Sequence, residues 1–486
     1  MPVNHFTTLD LWVLVLYLAG VTAWGAWLGR GQKRGTDYFL GNRELPWGAV
    51  MLSVVATETS TLTFLSIPGV AYMGTFAFLQ LTFGYLAGRV AVSLLLLPAY
   101  FRGELTTAYA LLEGRFGTGT RRFTSGIFMV TRLLADSVRL FATAIPLALV
   151  TGWPYPASIA VIGLLTLVYT YFGGIKAVVW VDALQMGLYL LGALLAGLAL
   201  QSLVAGGWSE ILSASLQAGK LQVLDWSLNP AVPYTVWAGV LGGGFLTMAS
   251  HGTDQLIVQR LLTCKDLRAS QKALVGSALS VMVQFVLFLL VGLGLWVFYQ
   301  GREFPRSDEI FPLFIVQELP PGITGLLIAG IFASAMSSLS SSINSLASAS
   351  AYDFWAPLVR ATEDEGRILR AGKGFTLVWA ALLMGGAIVF IPLSRETSAV
   401  EVALGIASVV YGGLLGAFGL GVLVDRADQR SVIVGMVAGI GVVTALWLTQ
   451  LLEIMPNRVA WPWFTPLGTA VTFLVGWALG RSREAA

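Results

Sequence analysis

The sequence has few charged residues, and this scarcity decides its broad class. Charged side chains make up 11% of the 486 residues, whereas hydrophobic ones make up 56%. Soluble domains carry roughly 25% charged residues, so no soluble fold would hide this much apolar surface. The single cysteine, Cys264, excludes a disulfide framework and a cysteine-based metal site. The two histidines, His5 and His251, cannot form a metal site by themselves.

Long polar stretches are also missing. The longest segments outside apolar runs are about residues 206–232, 300–320 and 351–372, and none is long enough for an attached catalytic domain. His-x-x-x-x-His and Gly-x-Ser-x-Gly motifs are absent as well. We therefore expect a protein that is not an enzyme. The net charge of +3 does not indicate a nucleic-acid partner, because the basic residues lie in short loops between apolar runs.

Apolar runs long enough to cross a bilayer fill most of the chain. A spanning helix needs roughly 20 apolar residues, whereas a β-barrel strand would alternate apolar and polar residues. We identify thirteen candidate spans, at about residues 8–30, 46–73, 76–101, 123–151, 154–172, 176–205, 233–258, 273–299, 321–350, 373–393, 399–424, 431–452 and 461–480. The prediction is an all-α membrane protein of about thirteen transmembrane helices, with the lipid bilayer as its solvent.

Basic residues predict which loops face the cytoplasm. They cluster after the first, third, seventh and ninth candidate spans, at Arg30, Lys33, Arg34, Arg43, Arg102, Arg115, Arg121, Arg122, Arg260, Lys265, Arg268, Lys272, Arg360, Arg367, Arg370 and Lys373. By the positive-inside rule these loops are cytoplasmic. Thirteen spans then put the N-terminus outside and the C-terminus in the cytoplasm of a multi-pass protein of the cell (inner) membrane.

Two candidate spans read as broken helices. The second carries the polar string at residues 53–61 followed by Pro68-Gly69, and the seventh carries Gly242-Gly243-Gly244 followed by the polar string at residues 251–255. Unwound backbone at membrane depth must line a cavity or bind something. The two spans are five apart in order and run in opposite directions, which indicates inverted repeats with a binding site near the midplane.

A serine-rich segment at residues 330–353 allows two interpretations. Nine serines decorate it: Ser334, Ser337, Ser338, Ser340, Ser341, Ser342, Ser345, Ser348 and Ser350. Small residues let helices pack closely, with hydroxyls bonded to the preceding turn. Alternatively, the oxygens converge on a hard cation such as sodium. The pattern alone does not choose between packing and ion binding.

Asp182 is an acidic residue about two turns inside a predicted span. A carboxylate there is costly unless it is paired with a cation. It pairs either with a basic residue such as Lys176 or with a bound ion that serines also coordinate.

Four strings carry a resemblance to a known family. They are the broken second span with Ala56, the Gly-Gly-x-x-Ala-Val-Val-Trp-x-Asp-x-x-Gln string at 173–185, residues 254–260, and the Met-Ser-Ser-Leu-Ser core at 336–340. In these the chain resembles the sodium/solute symporters, which carry solutes such as proline, sialic acid, sugars, iodide and monocarboxylates. The resemblance implies a five-plus-five inverted-repeat core. The expected units are an additional N-terminal helix with its cytoplasmic loop at 1–45, the first repeat at 46–205, an extracellular loop at 206–232, the second repeat at 233–424, and two C-terminal helices at 425–486.

The resemblance also implies one or two sodium ions. A first site would use backbone carbonyls and hydroxyls of Ala56, Thr59, Ser334, Ser337 and Ser338. A second site would use Asp182, Ser337, Ser338, Ser340 and Ser341.

The solute site is expected to draw on four spans. By position it would be lined by Glu58, Ser60, Thr63, Phe78, Gln80, Thr82, Arg132, Asp136, Arg139 and Asp254, or by His251 in place of Asp254. Arg132, Asp136 and Arg139 share one helix face. They form either a self-neutralising cluster or a site where an arginine forks onto a solute carboxylate. Two arginines against one aspartate leave a surplus positive charge, which Glu58 could neutralise.

The function expected from these features is sodium-coupled import of a small polar organic solute by alternating access. The solute is either a carboxylate or sugar acid, or a neutral sugar, and the chain is expected to act as a monomer. The alternatives are a transporter-like membrane sensor and a channel. The six residues after Gly480 hold no signalling module, and paired broken spans do not favour a channel.

Overall fold

The computed structural model describes residues 6–480 apart from residues 60, 104, 305–306, 393–398, 453 and 455–457. In this part of the chain, the first ten α-helices are α1 Thr8–Leu28, α2 Gly35–Leu40, α3 Trp47–Glu58, α4 Thr61–Met73, α5 Gln80–Leu95, α6 Leu97–Arg102, α7 Ala110–Phe116, α8 Thr118–Thr151, α9 Tyr155–Leu203 and α10 Gly207–Gln217. The next ten are α11 Gly243–Gly252, α12 Gln255–Leu261, α13 Leu267–Phe298, α14 Ile310–Glu318, α15 Ile323–Ala349, α16 Ala356–Leu358, α17 Glu365–Phe390, α18 Ala399–Leu423, α19 Gln429–Leu451 and α20 Phe464–Leu479. The predicted all-α class is confirmed.

Membrane-crossing helices dominate the fold. Among the described residues, seven helices are long and apolar enough to cross a bilayer, and the bent pair α3 and α4 adds an eighth if it forms one span. One of the seven, α9, has 49 residues, or roughly 70 Å of helix at 1.5 Å per residue. That is more than twice the hydrocarbon thickness of ~30 Å, so α9 holds two crossings. The total of thirteen spans stays a prediction.

The two crossings of α9 are separated at Gly174. Its φ of 54° and ψ of −155° lie outside helical geometry and favour a residue without a Cβ atom. Side chains from the segment before α3 hold this turn, because Gln32 Nε2 donates to Gly173 O at 2.7 Å and Tyr38 Oη donates to Thr170 O at 3.1 Å. The break therefore lies between the predicted spans 154–172 and 176–205.

Both spans predicted to be broken are interrupted. In the second, Trp47–Glu58 and Thr63–Met73 meet at 63°, and Thr59 follows α3 with a ψ of 88°. In the seventh, a π-helical turn at Ala238–Gly242 leads into α11, and the chain becomes extended at Asp254 before α12 begins. Polar groups freed by each interruption lie inside the protein, where they can line a site.

Helix α15 forms the centre of the molecule. It packs against α1, α3, α8, α9, α12 and α17, and almost all of its residues are buried. The small serine and alanine side chains allow this many neighbours to approach one helix. Its position places the serine-rich segment against both interrupted spans.

The connection between α12 and α13 contains the single cysteine. Cys264 is fully buried and forms an isolated β-bridge with Leu45, where Leu45 N donates to Thr263 O at 3.1 Å. This bridge ties the start of the second span to the end of the seventh.

Candidate sodium and solute site

The end of α3 lies against the middle of α15. Thr57 Oγ1 lies 3.3 Å from Ser341 Oγ, and Thr61 Oγ1 lies 2.6 Å from Ser334 Oγ. These two hydroxyl contacts mark the two edges of the interface. Of the residues predicted for the first sodium site, Thr59, Ser337 and Ser338 lie between these contacts along the chain, Ser334 makes one of them, and Ala56 directly precedes Thr57.

The Ser338 hydroxyl at this interface has no hydrogen-bond partner among the described residues. The Ser337 hydroxyl is buried beside the Asp182 carboxylate, while Ala56 and Thr59 are buried at the end of α3 and directly after it. A buried hydroxyl without a partner is destabilising. Neutral hydroxyl and carbonyl oxygens are what a hard cation binds, so these residues fit a sodium ion.

Three other serines of α15 donate to their own helix, whereas the buried Ser348 Oγ makes no hydrogen bond to any described residue. Ser340 Oγ and Ser341 Oγ donate to Ser337 O at 3.0 and 2.5 Å, and Ser345 Oγ donates to Ser342 O at 3.2 Å. These hydroxyls fit the packing interpretation. The serine-rich segment therefore contains both kinds of hydroxyl.

Asp182 is paired with an arginine. Its carboxyl group is fully buried, and Oδ2 accepts hydrogen bonds from Ser53 Oγ at 2.6 Å and from Arg260 Nη2 at 3.1 Å. The Ser337 hydroxyl of α15 also lies beside this carboxylate. Lys176, the basic partner suggested by the sequence, is exposed. The ion pair is thus present, with a different partner.

Arg260 was predicted to lie in a cytoplasmic loop after the seventh span, and this prediction is wrong. It lies on α12 and is fully buried, because the seventh span continues past residue 258 and Asp182 compensates the charge. Its Nε donates to Ser53 Oγ at 2.9 Å, its Nη1 to Leu256 O at 2.6 Å, and its Nη2 also to Ser341 Oγ. Arg260 therefore occupies the side of Asp182 that faces the predicted second sodium site.

The charges of Arg132, Asp136 and Arg139 on α8 are balanced by Asp254, the residue that caps the start of α12. Arg132 Nη2 donates to Asp254 Oδ2 and to Tyr411 Oη, the latter at 2.6 Å. Asp136 Oδ1 lies 3.7 Å from Arg132 Nη1 and 3.3 Å from Arg139 Nη1. The prediction of a surplus positive charge is wrong, since the carboxylates of Asp136 and Asp254 neutralise the guanidinium groups of Arg132 and Arg139.

A small cavity lies between this cluster and the sodium-site serines. Its volume is about 20 Å³, room for a single water. The lining residues are Thr61, Asp136, Arg139, Leu140, Thr143, Ala335, Ser338 and Leu339. The Arg139 side chain is 23% exposed whereas that of Arg132 is 6% exposed, so Arg139 is the more accessible arginine.

Glu58 pairs with an arginine that the sequence analysis missed. Arg89 of α5 is fully buried, and its Nη2 donates to Glu58 Oε2 while its Nη1 donates to Ser277 Oγ at 2.5 Å. His251 Nε2 lies 3.6 Å from the same Glu58 oxygen. The hypothesis that Glu58 neutralises the α8 arginines is wrong. The sequence did contain a signal for this pair, because an arginine inside the apolar run 76–101 needs an acidic partner.

Two residues expected to contact solute form hydrogen bonds at the start of α5. Gln80 Nε2 donates to Ala77 O and Tyr234 O, and its Oε1 accepts from Asp225 N. Thr82 Oγ1 donates to Leu79 O at 2.7 Å. The polar groups of Gln80 are bonded to backbone, and both side chains are completely buried, so their place in the solute site stays a prediction.

Phe78, Thr63 and Ser60 are the remaining residues predicted for the solute site. Phe78 packs edge-on against Tyr234 and Phe285, and Thr63 is half-buried on α4. Ser60 lies outside the described residues.

A helical membrane fold with two interrupted spans and a buried polar site between them is typical of an ion-coupled transporter. The model of the sodium:solute symporter family matches residues 38–439. The chain belongs to this family, which confirms the resemblance. It is a multi-pass membrane transporter coupled to sodium, not an enzyme.

Individual relatives match over nearly the whole chain. A sodium/sialic acid symporter, SiaT, of Proteus mirabilis is 31% identical over 92% of this chain and 90% of its own length. The sodium/sialic acid symporter NanT of Aliivibrio fischeri is 30% identical over 98% and 94%. Human sodium-coupled monocarboxylate transporter 1 is 28% identical over 92% of this chain and 74% of its own length.

Solved structures agree on the fold. A sodium-coupled sialic acid symporter in a substrate-bound outward-open state superposes with a TM-score of 0.87 at 29% identity, covering 97% of this chain and 98% of that one. The nucleobase-cation symporter Mhp1 has a TM-score of 0.56 at 13% identity, with 92% and 94% covered, and shares the fold alone.

Proposed function

We propose that this chain couples sodium entry to the import of a small organic anion by alternating access. The sodium ion is bound by Ala56, Thr59, Ser334, Ser337 and Ser338. The observation that carries this proposal is the buried hydroxyl of Ser338, which makes no hydrogen bond to any described residue and lines a small cavity with Thr61 at the start of α4. A cation coordinated there would use the oxygens that the protein leaves without hydrogen bonds.

Sodium at this interface would favour one arrangement of α3 against α15. Solute binding beside the interface would then raise sodium affinity by the same factor by which sodium raises solute affinity. The membrane potential drives entry with about 2.3 kcal/mol per ion for each 100 mV. Release follows when the inward-open state separates α3 from α15 and disperses the ligands.

The anion proposal rests on Arg139. It faces the small cavity together with Thr61, Thr143 and Ser338, and a guanidinium group binds a carboxylate through two parallel hydrogen bonds. The relatives are named for sialic acid and monocarboxylates, which carry this group. We place the solute carboxylate at Arg139 and the remainder toward Phe78 and Thr63. Ser60 belongs to the same proposal by its position in the sequence.

A second sodium ion at Asp182, Ser337, Ser338, Ser340 and Ser341 would compete with Arg260 for the carboxylate. In this conformation we therefore propose one bound sodium. A second ion would bind only after Arg260 leaves Asp182.

The same proposal includes the organisation of the chain in the membrane. It keeps the inverted repeats at 46–205 and 233–424, an N-terminus outside, a cytoplasmic C-terminus and a monomeric functional unit.

A thermal-shift screen on the purified protein tests sodium coupling and solute charge together, since ligands stabilise the state that they bind. N-acetylneuraminate, lactate and galactose are compared in sodium and in potassium. We expect carboxylates to raise the melting temperature only in sodium. Stabilisation by galactose alone would refute the anion proposal, and equal stabilisation in potassium would refute sodium coupling.

Arg139→Gln and Arg139→Lys then test the assigned contact. We expect Gln to abolish carboxylate binding and Lys to restore part of it, because lysine keeps the charge but not the fork. Unchanged carboxylate affinity in Arg139→Gln would remove Arg139 from the solute site.

A further inference from the structure

Thr59 is held by a side chain that no predicted site includes. Its hydroxyl donates to Gln284 Oε1 at 3.0 Å. Thr59 N closes the last turn of α3 on Val55 O at 2.8 Å, and its ψ of 88° turns the following peptide out of helical geometry. The residue at the break is thus fixed by its backbone on one side and by Gln284 on the other.

Gln284 is a polar residue in apolar surroundings. It lies on α13, fully buried, between the buried apolar side chains of Val281, Phe285 and Phe288. Its amide Nε2 makes no hydrogen bond to any described residue. A leucine or methionine would fill this space without leaving a buried donor unpaired. Packing therefore does not account for an amide at this position.

The position of α13 explains what the amide does. Both α13 and α15 pack against α3 and α4, so the break between α3 and α4 is held from two sides. Ser334 and Ser341 hold it from α15 through Thr61 and Thr57. Gln284 holds it from α13 through Thr59.

We infer that Gln284 is a positioning residue for the sodium ion: by fixing the Thr59 hydroxyl it orients the Thr59 peptide, whose carbonyl is a proposed sodium ligand. This inference rests on the proposed function. Gln284 contacts neither ion nor solute in this role. Its loss weakens sodium binding because the Thr59 peptide then samples orientations in which the carbonyl points away from the ion.

The test measures the sodium concentration that gives half of the maximal thermal stabilisation, in Gln284→Met, Thr59→Val and the double variant. Each single change should raise this concentration roughly three- to tenfold, the range that one ordinary hydrogen bond supports. The double variant should show no further increase, because both changes remove the same contact. Thr59→Ser, which keeps the hydroxyl, should retain the wild-type value.

Gln271→Met is the matched control on the same helix. Gln271 Nε2 donates to Ser93 O at 2.8 Å, so the change removes a comparable hydrogen bond far from Thr59. We expect an unchanged sodium concentration in this variant. An equal increase in Gln271→Met would mean that any loosening of α13 weakens sodium binding, which would overturn the assignment to Gln284.

The remaining outcomes separate the inference from the function on which it rests. A wild type without any sodium response would refute the proposed function. A sodium-responsive wild type with Gln284→Met unchanged would refute the inference alone, as would an additive double variant. If Gln284→Met fails to fold, the Thr59→Val and Thr59→Ser pair still decides whether the hydroxyl contact controls sodium binding.

Discussion

Arg260 and Asp182 form an ion pair inside the membrane-spanning bundle, with 3.1 Å between Nη2 and Oδ2 and no solvent exposure of either side chain. The pair joins α12 to α9. It also explains how an acid can lie at this depth, since each charge compensates the other. Removing one partner leaves the other charged and buried.

Arg260→Gln should lower the free energy of unfolding by about 3–5 kcal/mol, because it strands the Asp182 carboxylate. The double variant with Asp182→Asn should recover much of that loss. Thermal denaturation in detergent measures both. Arg268→Gln is the control, since Arg268 is an exposed residue of the neighbouring turn. Equal melting temperatures for the Arg260 and Arg268 variants would contradict the role of the pair.

Ser338→Ala should weaken sodium binding without lowering stability in sodium-free buffer. The reason is that the Ser338 hydroxyl makes no hydrogen bond to any residue that the structure describes. Sodium-dependent thermal shifts should give a sodium constant raised several-fold. Ser345→Ala serves as the comparison, since that hydroxyl bonds to its own helix at 3.2 Å. If both variants respond to sodium like the wild type, Ser338 is not a ligand.

Glu58→Gln should destabilise the fold strongly, because Arg89 is completely buried and would lose its only ion-pair partner among the described residues. We expect a loss of about 3–5 kcal/mol, seen as a lower melting temperature and poorer membrane expression. The exposed Glu44 provides the control variant Glu44→Gln. A stable Glu58→Gln protein with altered solute selectivity would show that Glu58 acts mainly on solute.

Asp254→Asn should destabilise the protein more than Tyr411→Phe. Asparagine keeps the N-cap of α12, in which Asp254 Oδ1 accepts from Leu256 N at 2.9 Å, but it removes the charge that faces Arg132. Tyr411→Phe removes hydrogen bonds to Arg132 and Asp254, a loss of about 1–2 kcal/mol, and leaves the ion pair intact. Thermal midpoints decide the order. The reverse order would show that the hydroxyl, not the charge, holds this junction.

The interrupted spans were predictable because glycine and polar residues at membrane depth have few other uses. The string at residues 53–61 and the glycines at 242–244 carried that signal directly. A partner for Asp182 was equally predictable, since a buried carboxylate needs one. Its identity was not, because the partner lies 78 residues away and the predicted end of the seventh span fell just before it.

The solute residues were harder to predict from sequence. Gln80 and Thr82 have polar groups of the right kind, but nearby backbone satisfies the Gln80 amide and accepts from the Thr82 hydroxyl. Spacing along a helix does not reveal such local bonds. Arg89 and Gln284 were missed for a different reason, since each lies within a long apolar run and belongs to no recognised motif. Their partners, Glu58 and Thr59, lie on another helix and come into contact only through folding.

The buried position of Cys264 has a practical consequence for following the transport cycle. Burial raises the pKa of its thiol to about 12, so almost none of the reactive thiolate is present at neutral pH. Maleimide probes should therefore pass over the native cysteine. The wild-type chain can serve as its own background for single reporter cysteines, such as one on α3 and one on α15. Spin-label or fluorophore distances between those helices could then be recorded without first removing a native thiol.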